Sequence, residues 1–162
     1  MTAKRTAVSK AALKAELVAA ITAALDTARA AHAAAVEGAT HSEAKAENDK
    51  DTRGLEQSYL ARGQAQRVAE LEVGLRKVTA FEMPVLGDDD AIAIGALVTV
   101  AEDDLRLLVA HDGGGTLLAD GSVQVVTPQS PLGRALLGRR VDDEVEIRLP
   151  GGLRTLTIEA IR

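Results

Sequence analysis

Apolar residues recur every three or four positions through the first half of the chain and every second position through much of the second half. The first seam runs Leu13, Leu17, Ile21, Ala24, Ala28, Ala31, Ala35. After Leu17 its steps alternate between four and three, the spacing of a coiled-coil face. Ser9 stands where an N-terminal cap belongs, and Gly38 is expected to end the helix as a C-terminal cap would. A second periodic stretch closes on Val68, Leu71, Leu75 and Val78, with Leu55, Tyr59 and Leu60 expected to supply its earlier contacts. Gly54, Gly63 and Gly74 each weaken that helix by roughly 1 kcal/mol relative to alanine. The intervening residues 39–51 are polar and carry no seam, so the two helices are expected to fold back as an antiparallel hairpin.

Beyond residue 95 the period falls to two. Residues 96–101, 105–110, 123–127, 144–149 and 154–161 read as strands of a sheet with one wet face. Pro150-Gly151-Gly152 is a hairpin turn between the last two. One short helix interrupts them, with Ser130 as cap, Pro131 at the first helical position and Gly138 as stop. The expected class is α+β: a coiled-coil hairpin over residues 1–80 with its tip near 39–51, a linker over 81–95, and over 96–162 a twisted antiparallel sheet wrapping one helix.

Composition sharpens this division. Of 162 residues, 30 are alanine, and 22 of these lie in residues 1–80, while all four prolines and ten of fourteen glycines lie beyond. The first half is net +2 and the second net −7. Alanine loses no side-chain entropy in a helix, which suits it to a slender hairpin. The chain has no cysteine or tryptophan, one tyrosine and one phenylalanine. That excludes a thiol nucleophile and a cysteine zinc site, and argues against an aromatic stacking platform for single strands or an aromatic-lined pocket. No apolar run approaches the ~18–20 residues of a membrane helix, and the basic N-terminus has no signal-peptide core. The expected location is the cytoplasm, away from membranes. His32, His41 and His111 are scattered without metal-ligand spacing. Gly113-Gly114-Gly115 lacks the Lys-Ser/Thr of a phosphate loop and reads as a hairpin turn. Asp88-Asp89-Asp90 reads as linker and turn.

Ser130-Pro-Leu-Gly-Arg-Ala-Leu-Leu-Gly138 and the Pro150-Gly-Gly152 that follows resemble the Gre-type transcript cleavage factors of bacterial RNA polymerase, whose signature there is SPxGxALLGKxxGDxVxVxxPGG. Ser130, Pro131, Gly133, Ala135 to Gly138, Asp143, Val145 and Pro150 to Gly152 match it. Val68-Ala-Glu-Leu-Glu72 is similar to the end of the family's second coiled-coil helix. The resemblance implies an FKBP-like C-terminal domain that docks on the polymerase; Ser130 and Pro131 are the candidate docking residues, with Arg134, Arg139 and Arg140, clustered on and after the short helix, serving either in docking or as ordinary surface charge. It also implies a hairpin that enters the secondary channel, where tip acids help hold a Mg²⁺ shared with the polymerase and orient a water that cuts the 3′ end of backtracked RNA. Two-metal hydrolysis of a phosphodiester needs such hard oxygen ligands.

Residues 37–51 hold five carboxylates against two lysines, on an otherwise basic half. Counting back from Val68 places the family's tip aspartate at Glu47 and its glutamate at Lys50, which cannot ligate Mg²⁺. A small register shift offers Glu47, Asp49 or Asp51 as the catalytic and metal-holding acids. The implied factor is no enzyme alone, binds no DNA sequence by itself, and takes Mg²⁺ only in the polymerase complex. The alternative is a secondary-channel regulator that does not stimulate cleavage. An FKBP-like fold also raises prolyl isomerase chemistry, but that needs an aromatic pocket and this half offers only Phe81.

Overall fold

The computed structural model describes residues 8–44, 52–101 and 106–162. Two helices, α1 (Lys10–Ala44) and α2 (Arg53–Ala80), precede β1 (Leu97–Val100), β2 (Arg106–Val109), β3 (Leu117–Leu118), β4 (Val123–Val126), α3 (Pro131–Leu136), β5 (Glu144–Leu149) and β6 (Gly152–Ile161). The chain divides into two compact units, one of Ala20–Arg76 and one joining the chain through Ala19 to Lys77–Arg162.

The helical unit holds α1 and α2 side by side. Arg29 donates to Glu72 at 2.8 Å, and Gly38 lies under Gln57, so partners run in opposite directions along the two helices. Gly38 does not cap α1, which continues to Ala44. A Cβ at Gly38 would stand 3.0 Å from the Gln57 amide oxygen, so the glycine makes room for that side chain. The α1 seam also departs from expectation at one place. Leu25 is buried and Ala24 is exposed, because the larger side chain gains more from leaving water. On α2, Leu71, Gly74 and Val78 are buried, and Gln57, Ala61, Gln64 and Val68 continue the same row half-buried. Leu55, Tyr59 and Leu60 are 56%, 61% and 49% exposed and so do not serve that seam.

The sheet is ordered β3-β4-β2-β1-β6-β5. It is mixed rather than antiparallel, because β2 and β4 pair in parallel, Leu108 opposite Val125. Parallel neighbours cannot be joined by a tight hairpin. The chain instead turns at Gly113–Thr116, adds the unforeseen two-residue β3, and reverses through Ala119, Asp120 and Gly121, all at positive φ. Gly113-Gly114-Gly115 therefore leads into β3 and is no hairpin between long strands. β5 and β6 form the expected hairpin, with Leu149 opposite Gly152.

The central strands are buried on both faces, not one. Val98, Leu107, Val109 and Val126 join Val145, Ile147, Leu156 and Ile158 in a core with Leu136 of α3. Residues of opposite parity, Leu97, Leu108, Val123 and Val125, are buried too. Leu13 and Leu17 of α1 are fully buried, and Glu16 between them accepts the Ala119 amide at 3.0 Å. Those contacts fix the first turns of α1 in the sheet unit.

The Lys14 ammonium donates to the carbonyls of Thr79 at 2.9 Å and Phe81 at 2.7 Å, supplying a cation where the last carbonyls of α2 have no helical partner. Phe81 meets His111 edge-on at 4.7 Å. Gly95, at φ 89°, leaves only 2.4 Å between a would-be Cβ and the Pro84 ring, so no other residue fits there.

Candidate functional site

Helix α3 is set by its first three residues. Ser130 is extended (φ −69°, ψ 151°), its hydroxyl accepts the Gly133 amide at 3.0 Å and donates to the Thr127 carbonyl at 2.8 Å. Pro131 has no amide to leave unpaired at the first helical position. Gly133 is buried so tightly that a Cβ would lie 1.9 Å from the Thr127 carbonyl oxygen. Gly138 closes the helix at φ 80° and donates to the Ile92 carbonyl at 2.8 Å.

Beside this cap lies a groove of about 270 Å³, walled by Ser130, Pro131 and Leu132, by Gly114 and Gly115, and by Ile147 and Arg148 of β5. It combines an apolar floor with one cation and a hydroxyl, a composition suited to an apolar side chain of a protein partner flanked by an acid. Of the residues singled out in the sequence, Ser130 and Pro131 line the groove. Arg134 is exposed on α3, and Arg139 and Arg140 are exposed beyond it. The Arg140 guanidinium donates to the Asp89 carbonyl, and its amide donates to Asp143 at 2.8 Å. The Asp88 carboxylate accepts the Ile161 amide at 2.9 Å, and Asp90 closes a turn onto Gly87. Arg148 is the groove's own cation. Its only signal in the sequence is a polar place in the alternating run of β5.

Glu47, Asp49 and Asp51, with Lys50, lie outside the described residues. Among the described residues no group of three His, Cys, Asp or Glu side chains could hold a metal ion. The flanking described acids, Glu37 on α1 and Glu56 on α2, are exposed.

The fold has a two-helix unit and a mixed sheet with a groove beside its capped helix, and its relatives are transcription elongation factors. The family profile "Transcription elongation factor, GreA/GreB, C-term" matches residues 87–162. Transcription elongation factor GreA of Sphingopyxis alaskensis is 38% identical over 85 residues, covering 52% of each chain. GreA of Syntrophus aciditrophicus is 30% identical over 112 residues, covering 69% of this chain and 67% of that one. The chain belongs to the GreA/GreB family. It spans about half the length of the first curated relatives it matches, 52% and 58% of them. The crystal structure of GreA factor homolog 1 of Thermus thermophilus aligns over 90% of this chain and 94% of that one, at 20% identity and a TM-score of 0.38. Among the described residues no helix is long and apolar enough to cross a membrane.

Proposed function

We propose that this protein is a cytoplasmic elongation factor that binds RNA polymerase through its secondary channel and stimulates Mg²⁺-dependent cleavage of backtracked RNA, without being an enzyme by itself. Membership of the GreA/GreB family carries the reading. The groove beside Ser130 and Pro131 is the docking face, and Arg134, Arg139 and Arg140, on and after α3, add positive charge for the polymerase. Glu47, Asp49 and Asp51 are the acids between α1 and α2. Carboxylates are hard oxygen donors of the kind Mg²⁺ prefers, and these three would hold the ion shared with the polymerase. The metal's contribution there is to activate water and stabilise the charge that builds on the phosphodiester.

The test is RNA shortening in purified backtracked polymerase complexes. Saturating factor should accelerate it, and no acceleration refutes the reading. A Glu47, Asp49 and Asp51 triple alanine variant should keep polymerase binding and lose acceleration. Lys50, at the place of the family's tip glutamate, favours a second reading: a channel-binding regulator that alters initiation or pausing and leaves cleavage unchanged. Release of short RNAs by the factor contradicts that second reading.

A further inference from the structure

A second groove, of about 550 Å³, lies in the sheet unit away from the Ser130 cap. Met83 and Leu86 form part of its apolar lining, and Val85 stands in it 99% exposed. Lys10, Lys14 and Arg162 rim it. Among the described residues both ammonium groups donate to neutral carbonyls, Lys10 to Pro84 and Lys14 to Thr79 and Phe81. These bonds hold the lysines in place and leave their charge uncompensated. Among the described residues no carboxylate pairs with any of the three cations, although Glu82 also lines the groove. Burial moreover holds the Lys10 ammonium below its ordinary pKa, so its charge lacks the water or anion it would have in solution.

We propose that this groove is a second protein-binding site, taking one apolar side chain of an acidic peptide segment whose carboxylates meet Lys10, Lys14 and Arg162. Three features select that occupant. An exposed valine over apolar lining favours an apolar side chain. The fixed cations on the rim favour carboxylates on either side of it. Val85's full exposure leaves the groove open to solvent there, which suits a peptide segment better than an enclosed small molecule. The site is separate from the Ser130 groove and does not rest on the proposed cleavage function.

The test uses fluorescein-labelled peptides Asp-Glu-X-Asp-Glu, with X as Leu, Val or Phe, and a control in which lysines replace the acids. Fluorescence anisotropy on the whole protein should show saturable binding of an acidic peptide and none of the control. Val85→Asp, at a fully exposed position where folding is undisturbed, should weaken it at least tenfold. Lys10→Met should weaken it about threefold, and raising salt from ~50 to ~300 mM should weaken it about fivefold. Amide resonances of Val85 and Leu86 should shift on titration. The proposal is overturned if none of the three acidic peptides saturates. It is equally overturned if binding survives Val85→Asp unchanged, or if the shifts fall at Leu132 and Arg148 instead.

Discussion

Replacing Gly133 by alanine sets two physical effects against each other. Helix propensity alone favours alanine over glycine by up to ~1 kcal/mol. Here the added methyl would stand 1.9 Å from the Thr127 carbonyl oxygen and 2.7 Å from its carbon. Both are backbone atoms, and ordinary contact begins near 3.4 Å, so α3 must move by more than an ångström. That movement breaks the bond from the Gly133 amide to the Ser130 hydroxyl, a cap worth about 1 kcal/mol. It also disturbs Leu136, which is fully buried, and overpacking of this kind costs ~1–3 kcal/mol. The sum predicts a net loss of about 1–3 kcal/mol. Gly63 on α2 is the matched control: nothing lies within 4 Å of its would-be Cβ, so Gly63→Ala should gain about 0.5–1 kcal/mol. Urea denaturation followed by far-UV circular dichroism reads both variants. Stabilisation by Gly133→Ala, or a loss under ~0.5 kcal/mol, would refute the steric argument.

Ser130→Ala should cost about 1 kcal/mol in the same assay and, if the proposed docking face is right, weaken polymerase binding through misplacement of Pro131; an unchanged midpoint would show the cap is dispensable. Arg29→Ala removes an ion pair that is half exposed on both sides, and should change stability by under ~1 kcal/mol with the difference fading in high salt. Lys10 gives a pH signature. Its folded pKa is depressed from 10.5, so between the folded value and 10.5 the unfolded chain holds the extra proton and stability rises with pH. The stability of the protein relative to Lys10→Met should therefore increase between pH 7 and pH 10, and a flat or falling difference would contradict the burial.

The parts of the fold legible in the sequence are those specified by neighbours in the chain. Ser130, Pro131 and Gly138 punctuate α3 within nine residues, and Pro150-Gly151 turns one strand directly onto the next. The parallel pairing of β2 with β4 was not legible, since it depends on which distant strand Val123–Val126 meets, and β3 is too short for a period of two to register. Ala24 and Leu25 show the same limit on a helix, where both positions sit near the seam and packing decides between them. Gly38 has the composition of a stop signal, yet its role is set by Gln57 across the hairpin. The groove beside α3 follows suit: Ser130 and Pro131 were visible locally, whereas Gly114, Ile147 and Arg148 join them only through the sheet.

The sheet unit draws on both ends of the described chain, and this orders events during synthesis. Glu16 leaves the ribosome early, but the Ala119 amide that it accepts arrives about a hundred residues later. Until then the first turns of α1 lack that partner, while the helical unit between Ala20 and Arg76 can already form. A nascent chain paused before Ala119 should accordingly leave the amides of the first turns of α1 exchanging faster with solvent than a chain extended past Ala119.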